Sequence, residues 1–320
     1  MRILTVQKND AGQRLDKFLT KAVKGLPQSL MYKFIRTKKI KVNRARCEQS
    51  QILREGDEIQ LFIKDEFFDS ASKDTGALSS IKPKLDIVHE DEHIMLLNKR
   101  PGVLVHDDAE GGENTLIMHI QAYLCGKGEY DPAAEQSFAP ALCNRIDRNT
   151  GGMVIAAKDA AALRDMNEVI REDWLSKFYL CLVHGRVERE KATLHGYLRK
   201  DSAKNMVEVR DKDFPGAKEI ITKYRVLGER REGKDIVSLL EVELVTGRTH
   251  QIRAHMAHIG HPLVGDGKYG SREKSPGLAL WSYRVTFPHP VTGHTVTVVS
   301  TPPFDILPWS LIDVTSLSAP

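Results

Sequence analysis

The stretch Asn144-Arg145-Ile146-Asp147-Arg148-Asn149-Thr150-Gly151-Gly152 runs without interruption into Met153-Val154-Ile155-Ala156-Ala157. The first half is polar, and its paired glycines accept the positive φ of a sharp bend. The second half is a short apolar run of the kind that forms a core strand. Asp147 therefore stands on a loop at the mouth of a buried strand. Arg145 and Arg148 flank it, which favours an ionised carboxylate and offers guanidinium groups to an anionic substrate. The same residues also suit a solvated ion pair on a turn, and the stretch alone does not choose between the two.

Downstream, Asp159 is placed to start a helix to about Glu172. The run Lys177-Phe178-Tyr179-Leu180-Cys181-Leu182-Val183 then alternates as a strand, with Lys177, Tyr179, Cys181 and Val183 on one face. Strand candidates at 219–228 and 236–245 flank a charged turn from Glu229 to Lys234. The second leads into Thr246-Gly247-Arg248-Thr249-His250-Gln251-Ile252-Arg253-Ala254-His255-Met256. There Thr249 is expected to cap a helix with Ile252, His255, Met256 and Ile259 inward, ended by Gly260 and Pro262. Arg253 falls in the first turn, where a lone arginine ordinarily reads as surface. Leu280 to Phe287 and Val296 to Ser300 complete the sheet.

Upstream, Leu85 to Val88 and Ile94 to Leu97 read as a strand pair around the polar turn His89 to His93. Asn98-Lys99-Arg100-Pro101-Gly102 closes the second strand, and Lys99 there suits either the site or a solvated turn. Asn114 is expected to cap a helix carrying Leu116, Ile117, Ile120, Tyr123 and Leu124.

The 320 residues suffice for a small domain and a larger one, and the charge is unevenly divided between them. Residues 1–64 hold 15 Lys or Arg and 6 Asp or Glu, a balance of +9, which leaves −5 for the remainder of a chain whose total is +4. Such an asymmetry points to an N-terminal patch that meets a polyanion. In that part Leu15, Phe18, Leu19 and Ala22 make one helical face. Ser29 is placed to cap a second helix with Leu30, Phe34 and Ile35 inward, and Arg36, Lys38, Lys39 and Lys41 follow. Residues 65–83, rich in Asp, Ser, Lys, Gly and Ala, read as a flexible linker in which Phe67 and Phe68 are able to dock on a domain.

No apolar run reaches the ~18 residues of a membrane span, and no signal pattern opens the chain, so a cytoplasmic protein is expected. Cys47, Cys125, Cys143 and Cys181 lack any Cys-x-x-Cys spacing and read as reduced thiols. His250, His255, His258 and His261 crowd together, but His250 and His255 are five apart and do not share a helical face, so a metal site is not expected.

Three segments resemble the RluA-type pseudouridine synthases over roughly residues 84 to 303. Arg145-Ile146-Asp147 with Thr150-Gly151-Gly152 is similar to a motif usually written His-Arg-Leu-Asp-x-x-Thr-Ser-Gly, with Asn144, Ile146 and Gly151 as departures. Lys177 to Gly185 matches Lys-x-Tyr-x-Ala-x-Val-x-Gly, and Thr246 to Met256 is the longest match. Asn98 to Gly102 is similar to Asn-Lys-Pro-x-Gly with an arginine inserted. Ahead of these, Arg14-Leu15-Asp16-Lys17-Phe18-Leu19, Lys41-Val42-Asn43 and Gly56-Asp57-Glu58-Ile59 resemble the alpha-L RNA-binding domain of a ribosomal protein.

The resemblance implies an α+β chain. A small RNA-binding domain (1–64) and linker (65–83) would precede a catalytic domain (84–320) built on a mostly antiparallel mixed sheet flanked by helices. It implies isomerisation of uridine to pseudouridine in structured RNA, most readily large-subunit ribosomal RNA, by a monomer without cofactor or metal. Asp147, Tyr179 and Arg253 become the expected catalytic residues. Arg145, Thr150, Lys177 and Ile252 are expected at the substrate, and Arg14, Lys17, Arg36, Lys38, Lys39 and Lys41 on the RNA. A non-catalytic RNA-binding factor is the competing reading from another class.

Overall fold

A computed structural model describes residues 1–68, 78–105, 115–201, 206–232, 235–270 and 277–312. Two sheets organise it. The first has the order β1 (Arg2–Thr5), β4 (Glu58–Leu61), β2 (Ile40–Val42), β3 (Ala45–Arg46), all antiparallel, with helices α1 (Leu15–Ala22) and α2 (Gln28–Arg36) packed on it. Leu15, Phe18 and Leu19 from α1 and Met31 and Ile35 from α2 close over Ile40, Val42, Ile59 and Leu61. That core is separate from the larger one. Pro27, not Ser29, precedes α2, and β1 had no counterpart in the sequence reading.

The larger sheet begins with β5 (Ile87–Glu90) and β6 (Ile94–Lys99), joined by a turn at 91–93, so His89 and Glu90 extend a strand that was expected to have turned. α3 (Leu116–Lys127) follows, with Thr115 at its cap position, while Asn114 lies outside the described residues. β7 (Ala141–Leu142) and β8 (Gly151–Ala157) lead to α4 (Ala160–Arg171), capped by Asp159, whose side chain accepts the Ala162 N–H. Next come β9 (Ser176–His184), β10 (Lys191–Asp201), β11 (Met206–Arg210), β12 (Lys218–Glu232) and β13 (Asp235–Leu244). α5 (Gln251–His258), β14 (Leu280–Pro288) and β15 (Thr295–Val299) end the series. The strand order is β11-β10-β12-β13-β9-β14-β8-β6-β5, with β15 on β14 and β7 on β8, and among the described residues only the β14–β8 pair is parallel.

β8 is buried throughout because both its faces are covered. Val154 and Ala156 face α3 and α5 through Leu116, Ile120, Leu124, Ile252 and Met256. Met153, Ile155 and Ala157 face Ala162, Met166 and Val169 of α4. The polar loop before β8 is thereby anchored to the rigid middle of the sheet. Two glycines make its close neighbours possible. A Cβ on Gly151 would lie 2.2 Å from the Trp281 ring, and one on Gly152, at φ +101°, would lie 2.1 Å from the Ser282 carbonyl oxygen.

Phe67 and Phe68 pack against the N-terminal core, as their docking predicted, while the linker residues 69–77 lie outside the described residues. The N-terminal part does not reach the rest of the chain by tether alone. Ser137 donates its hydroxyl to Asp10 at 2.5 Å and accepts the Gln13 amide at 2.6 Å. Asn9 donates to Glu135 at 2.6 Å, and Gln136 donates to the Thr5 carbonyl at 2.6 Å. Asp10 is wholly buried beneath these bonds. Among the described residues no helix is long and apolar enough to cross a membrane.

Candidate active site

Asp147 sits where the loop before β8 meets the start of α5. Its Oδ2 accepts Nη1 of Arg253 at 3.1 Å and lies 3.7 Å from Nε2 of His250. The carboxylate is about a quarter exposed, whereas the Arg253 side chain is nearly covered. Arg253 is fixed from its other edge by Asp266, which accepts Nε at 2.7 Å and Nη2 at 2.9 Å. A bidentate pair of this kind sets the plane of the guanidinium, leaving Nη1 aimed at Asp147. Burial opposes the Arg253 charge, but Asp266 and Asp147 outweigh it and raise the pKa further above its ordinary value. Arg253 thus meets Asp147, while Asp266 was not singled out in the sequence.

The helix geometry differs from expectation. α5 starts at Gln251, and His250, not Thr249, occupies the cap position, in the left-handed conformation at φ 53°. Gln251 closes the turn instead, its side-chain oxygen accepting the Arg248 N–H at 3.0 Å and the Thr246 hydroxyl at 2.9 Å. His250 Nδ1 faces the Tyr269 hydroxyl at 2.8 Å, and that oxygen accepts the Val207 N–H at 3.0 Å. The remaining histidines diverge: His255 pairs with Thr222, His258 with Asp211 and His261 with the His184 carbonyl. Among the described residues no cluster of three or more His, Cys, Asp or Glu is arranged to hold a metal.

Lys99 resolves in favour of the site. It is 1% exposed, and its ammonium donates to the carbonyl oxygens of Arg148 at 2.8 Å, Arg100 at 3.1 Å and Val103 at 3.1 Å. Burial lowers its pKa to about 8, against the pull of the Asp147 charge. The Gly102 N–H reaches the same Arg148 carbonyl at 2.8 Å, and Arg148 Nε returns a bond to the Gly102 carbonyl at 3.1 Å. The turn after β6 thus clamps the loop that carries Asp147. The solvated reading of Lys99 is overturned. Asn144 ties the other end of the loop, its side-chain oxygen accepting the Ile155 N–H at 2.7 Å.

Tyr179 is buried among Ile146, Ile252 and Cys181, on the face that strand alternation assigned to it. Desolvation, with Asp147 adding to it, pushes its phenol up to about 12, so it is neutral at physiological pH. Ile252 belongs to the same apolar cluster. Thr150 is buried, and its hydroxyl has no hydrogen-bond partner among the described residues. Lys177 is partly covered and its pKa is lowered by desolvation despite Asp173, while Arg145 stands exposed. Cys143 is an inert thiol, pushed up to about 12 by burial.

In the N-terminal part Lys17, Arg36, Lys38 and Lys39 are exposed and Lys41 is partly covered. Lys39 lies 5.3 Å from the Phe34 ring centre and Lys41 5.6 Å from that of Phe62. Arg14 is less free than its sequence suggested, since it bonds Asp16 through Nη2 at 2.7 Å and Nε at 3.1 Å.

Comparison with known proteins agrees with this geometry. Residues 93–258 match the family model described as RNA pseudouridylate synthase, and residues 13–59 match the S4 domain. The chain is 31% identical over 317 residues to ribosomal large subunit pseudouridine synthase C of Escherichia coli, covering 93% of this chain and 92% of that one. It is 32% identical over 293 residues to an RNA pseudouridine synthase of Mycoplasma genitalium, at 88% of each chain. In fold it is similar to human RNA pseudouridylate synthase domain containing 1, with a TM-score of 0.57 over 70% of this chain and 87% of that one, at 23% identity.

Proposed function

The chain belongs to the RNA pseudouridylate synthase family and carries an S4 domain ahead of its catalytic part, and from that premise we propose that it isomerises uridines of large-subunit ribosomal RNA, with Asp147 acting on the sugar. The N-glycosidic bond between ribose C1′ and uracil N1 breaks, the base turns, and C5 joins C1′. C5 gives up one proton and N1 gains one, so the product is an isomer and no electrons are exchanged. Asp147 serves either as the nucleophile at the sugar or as the base that forms a glycal, and both roles require it ionised.

The observation that carries this reading is the Asp147–Arg253–Asp266 series: one carboxylate held at Oδ2 by an arginine that a second, buried carboxylate keeps in place. Tyr179 and Ile252 supply an apolar wall for a uracil turned out of the RNA, and the neutral phenol offers it a hydrogen bond. Flipping a base costs a few kcal/mol, and the exposed Arg145 is placed to fill the vacated stack. Thr150 and Lys177 border the bound nucleotide. Residues 1–64 grip phosphates through Lys17, Arg36, Lys38, Lys39 and Lys41, and residues 84–320 perform the reaction. The ribosomal target is supported by the relatives named for that subunit. We take the protein to work in the cytoplasm as a monomer.

The test is tritium release from transcribed large-subunit ribosomal RNA labelled at uracil C5. Wild-type protein should release tritium, and folded Asp147→Asn protein should release none while binding RNA at least as well, because a negative charge beside phosphate has gone. Release by Asp147→Asn near the wild-type rate would sink the assignment. Mapping pseudouridines in RNA from a deletion strain then identifies the positions.

A further inference from the structure

His250 is used by no step above, yet it is the only histidine beside Asp147 among the described residues, and its surroundings fix which ring nitrogen carries the proton. The Tyr269 oxygen already accepts the Val207 N–H at 3.0 Å, so its own proton is free to point at His250 Nδ1, 2.8 Å away. With Nδ1 accepting, a neutral ring carries its hydrogen on Nε2. The opposite tautomer would leave the phenol proton unpaired and turn the Nε2 lone pair toward the carboxylate 3.7 Å away. Both costs favour the same assignment.

The backbone gives a second, independent reason. His250 has φ 53° and ψ 19°, a left-handed conformation that costs a non-glycine residue on the order of 1 kcal/mol and persists where the surroundings hold it. The conformation sets the ring between Tyr269 and Asp147, with ring centres of His250 and Tyr269 5.7 Å apart at 77°. The charged and titratable groups around the imidazole are Asp147, Arg253, Asp266, Lys268 and Tyr269. Desolvation is the largest influence on it and lowers its pKa, with Arg253 and Lys268 adding to that and the two carboxylates opposing. The ring therefore stays neutral at physiological pH.

We propose that His250 is a positioning residue for the isomerisation: held by Tyr269 with its proton on Nε2, it presents an N–H to Oδ2 of Asp147 beside the Arg253 contact, so that Oδ1 is the oxygen turned to the ribose. Both contacts converge on Oδ2, and at 3.7 Å the histidine tightens its bond only as the carboxylate settles on bound substrate. Such lengthening in the free enzyme is common for groups that act in the bound state. The inference rests on the reading of Asp147 given above.

Two substitutions separate this role from a packing one. Asparagine tolerates the left-handed conformation but its amide reaches only the Nδ1 position, whereas the glutamine amide can reach the Nε2 position. On the labelled ribosomal RNA transcript, His250→Asn should lower kcat about 10-fold or more with KM unchanged, and His250→Gln should recover to within about 3-fold of wild type. Tyr269→Phe removes the donor that fixes the tautomer, so its kcat should also fall with KM unchanged. Equal kcat for His250→Asn and wild type, an effect on KM alone, or glutamine no better than asparagine overturns the proposal. Should neither His250 variant fold, wild-type kcat in Tyr269→Phe overturns it. Asp147→Asn in the same series keeps the two readings apart: activity there defeats the functional reading, while its inactivity beside a normal His250→Asn defeats only this one.

Discussion

Replacing Lys99 by methionine tests the clamp under Asp147. The side chains have similar length, so the change removes the ammonium while keeping the packing. Burial lowers the ammonium pKa from 10.5 to about 8, and at about 1.36 kcal/mol per unit its charged form is disfavoured by roughly 3 kcal/mol. Against this stand three bonds to carbonyl oxygens, each worth about 1.5–3 kcal/mol from a charged donor. The Arg148 carbonyl keeps its bond from the Gly102 N–H, so the net loss in Lys99→Met should be about 2 kcal/mol. For a chain of 320 residues that is a fall in melting temperature of about 3 °C. With its loop unclamped, Asp147 loses alignment, and kcat should fall about 10- to 100-fold. The pH dependence has a definite sign. Between pH 8 and 10.5 the unfolded chain holds a proton on Lys99 that the folded chain has lost, so this group makes stability rise with pH across that window. Below about pH 8 the burial cost is present in full, and above it kcat should decline as the ammonium discharges. Circular dichroism melts from pH 7 to 10.5 and tritium release over the same range decide the matter. An unchanged melting temperature and wild-type kcat in Lys99→Met would refute the clamp.

Gly151→Ser places a side chain into the Trp281 ring and should destabilise the fold by about 1–3 kcal/mol or more. In the Trp281→Ala background the same serine should cost almost nothing further, a coupling read from the melting temperatures of the four-protein cycle. Tyr179→Phe preserves the buried ring and removes the hydroxyl, so RNA affinity should hold while turnover drops on the order of 10²- to 10⁴-fold if the phenol moves a proton. Unchanged turnover would leave Tyr179 a wall of the pocket.

What was readable in the sequence followed from contiguity. Asp147 and the strand behind it lie in one unbroken stretch, and period-2 alternation put Tyr179 on the face that meets it. Arg253 was singled out by the resemblance alone, since a lone arginine in a first helical turn reads as surface. Lys99 was ambiguous because a lysine before Arg100-Pro101-Gly102 reads as solvated, and only the fold shows carbonyl oxygens gathered around it. Asp266 lies 13 residues beyond Arg253, and its one signal was a polar island, Asp266-Gly267-Lys268-Tyr269, one glycine after the apolar Leu263-Val264. Strands β10 and β11, at one end of the sheet, escaped notice because few of their positions are buried, so the alternation of Ala192, Leu194 and Leu198 and of Val207 and Val209 with polar residues was a weak signal. His250 looked like a metal ligand or nothing, since a left-handed cap residue announces itself only through its φ.

The hydrogen bonds that join Asn9, Gln13 and the accepting Asp10 carboxylate with Glu135, Gln136 and Ser137 change what kind of binder this protein is. Two RNA contacts joined by a loose tether would find their targets independently over a range of spans. Joined by a polar seam whose central carboxylate is wholly buried, they behave as the two jaws of a caliper set to one opening. The ordering entropy has been spent during folding, so an RNA already held on the S4 side meets the second jaw at an effective concentration set by geometry. On the proposed function, a helix or loop that places its uridine at another span would gain nothing from the first contact, and the choice of uridine would become a measurement of length.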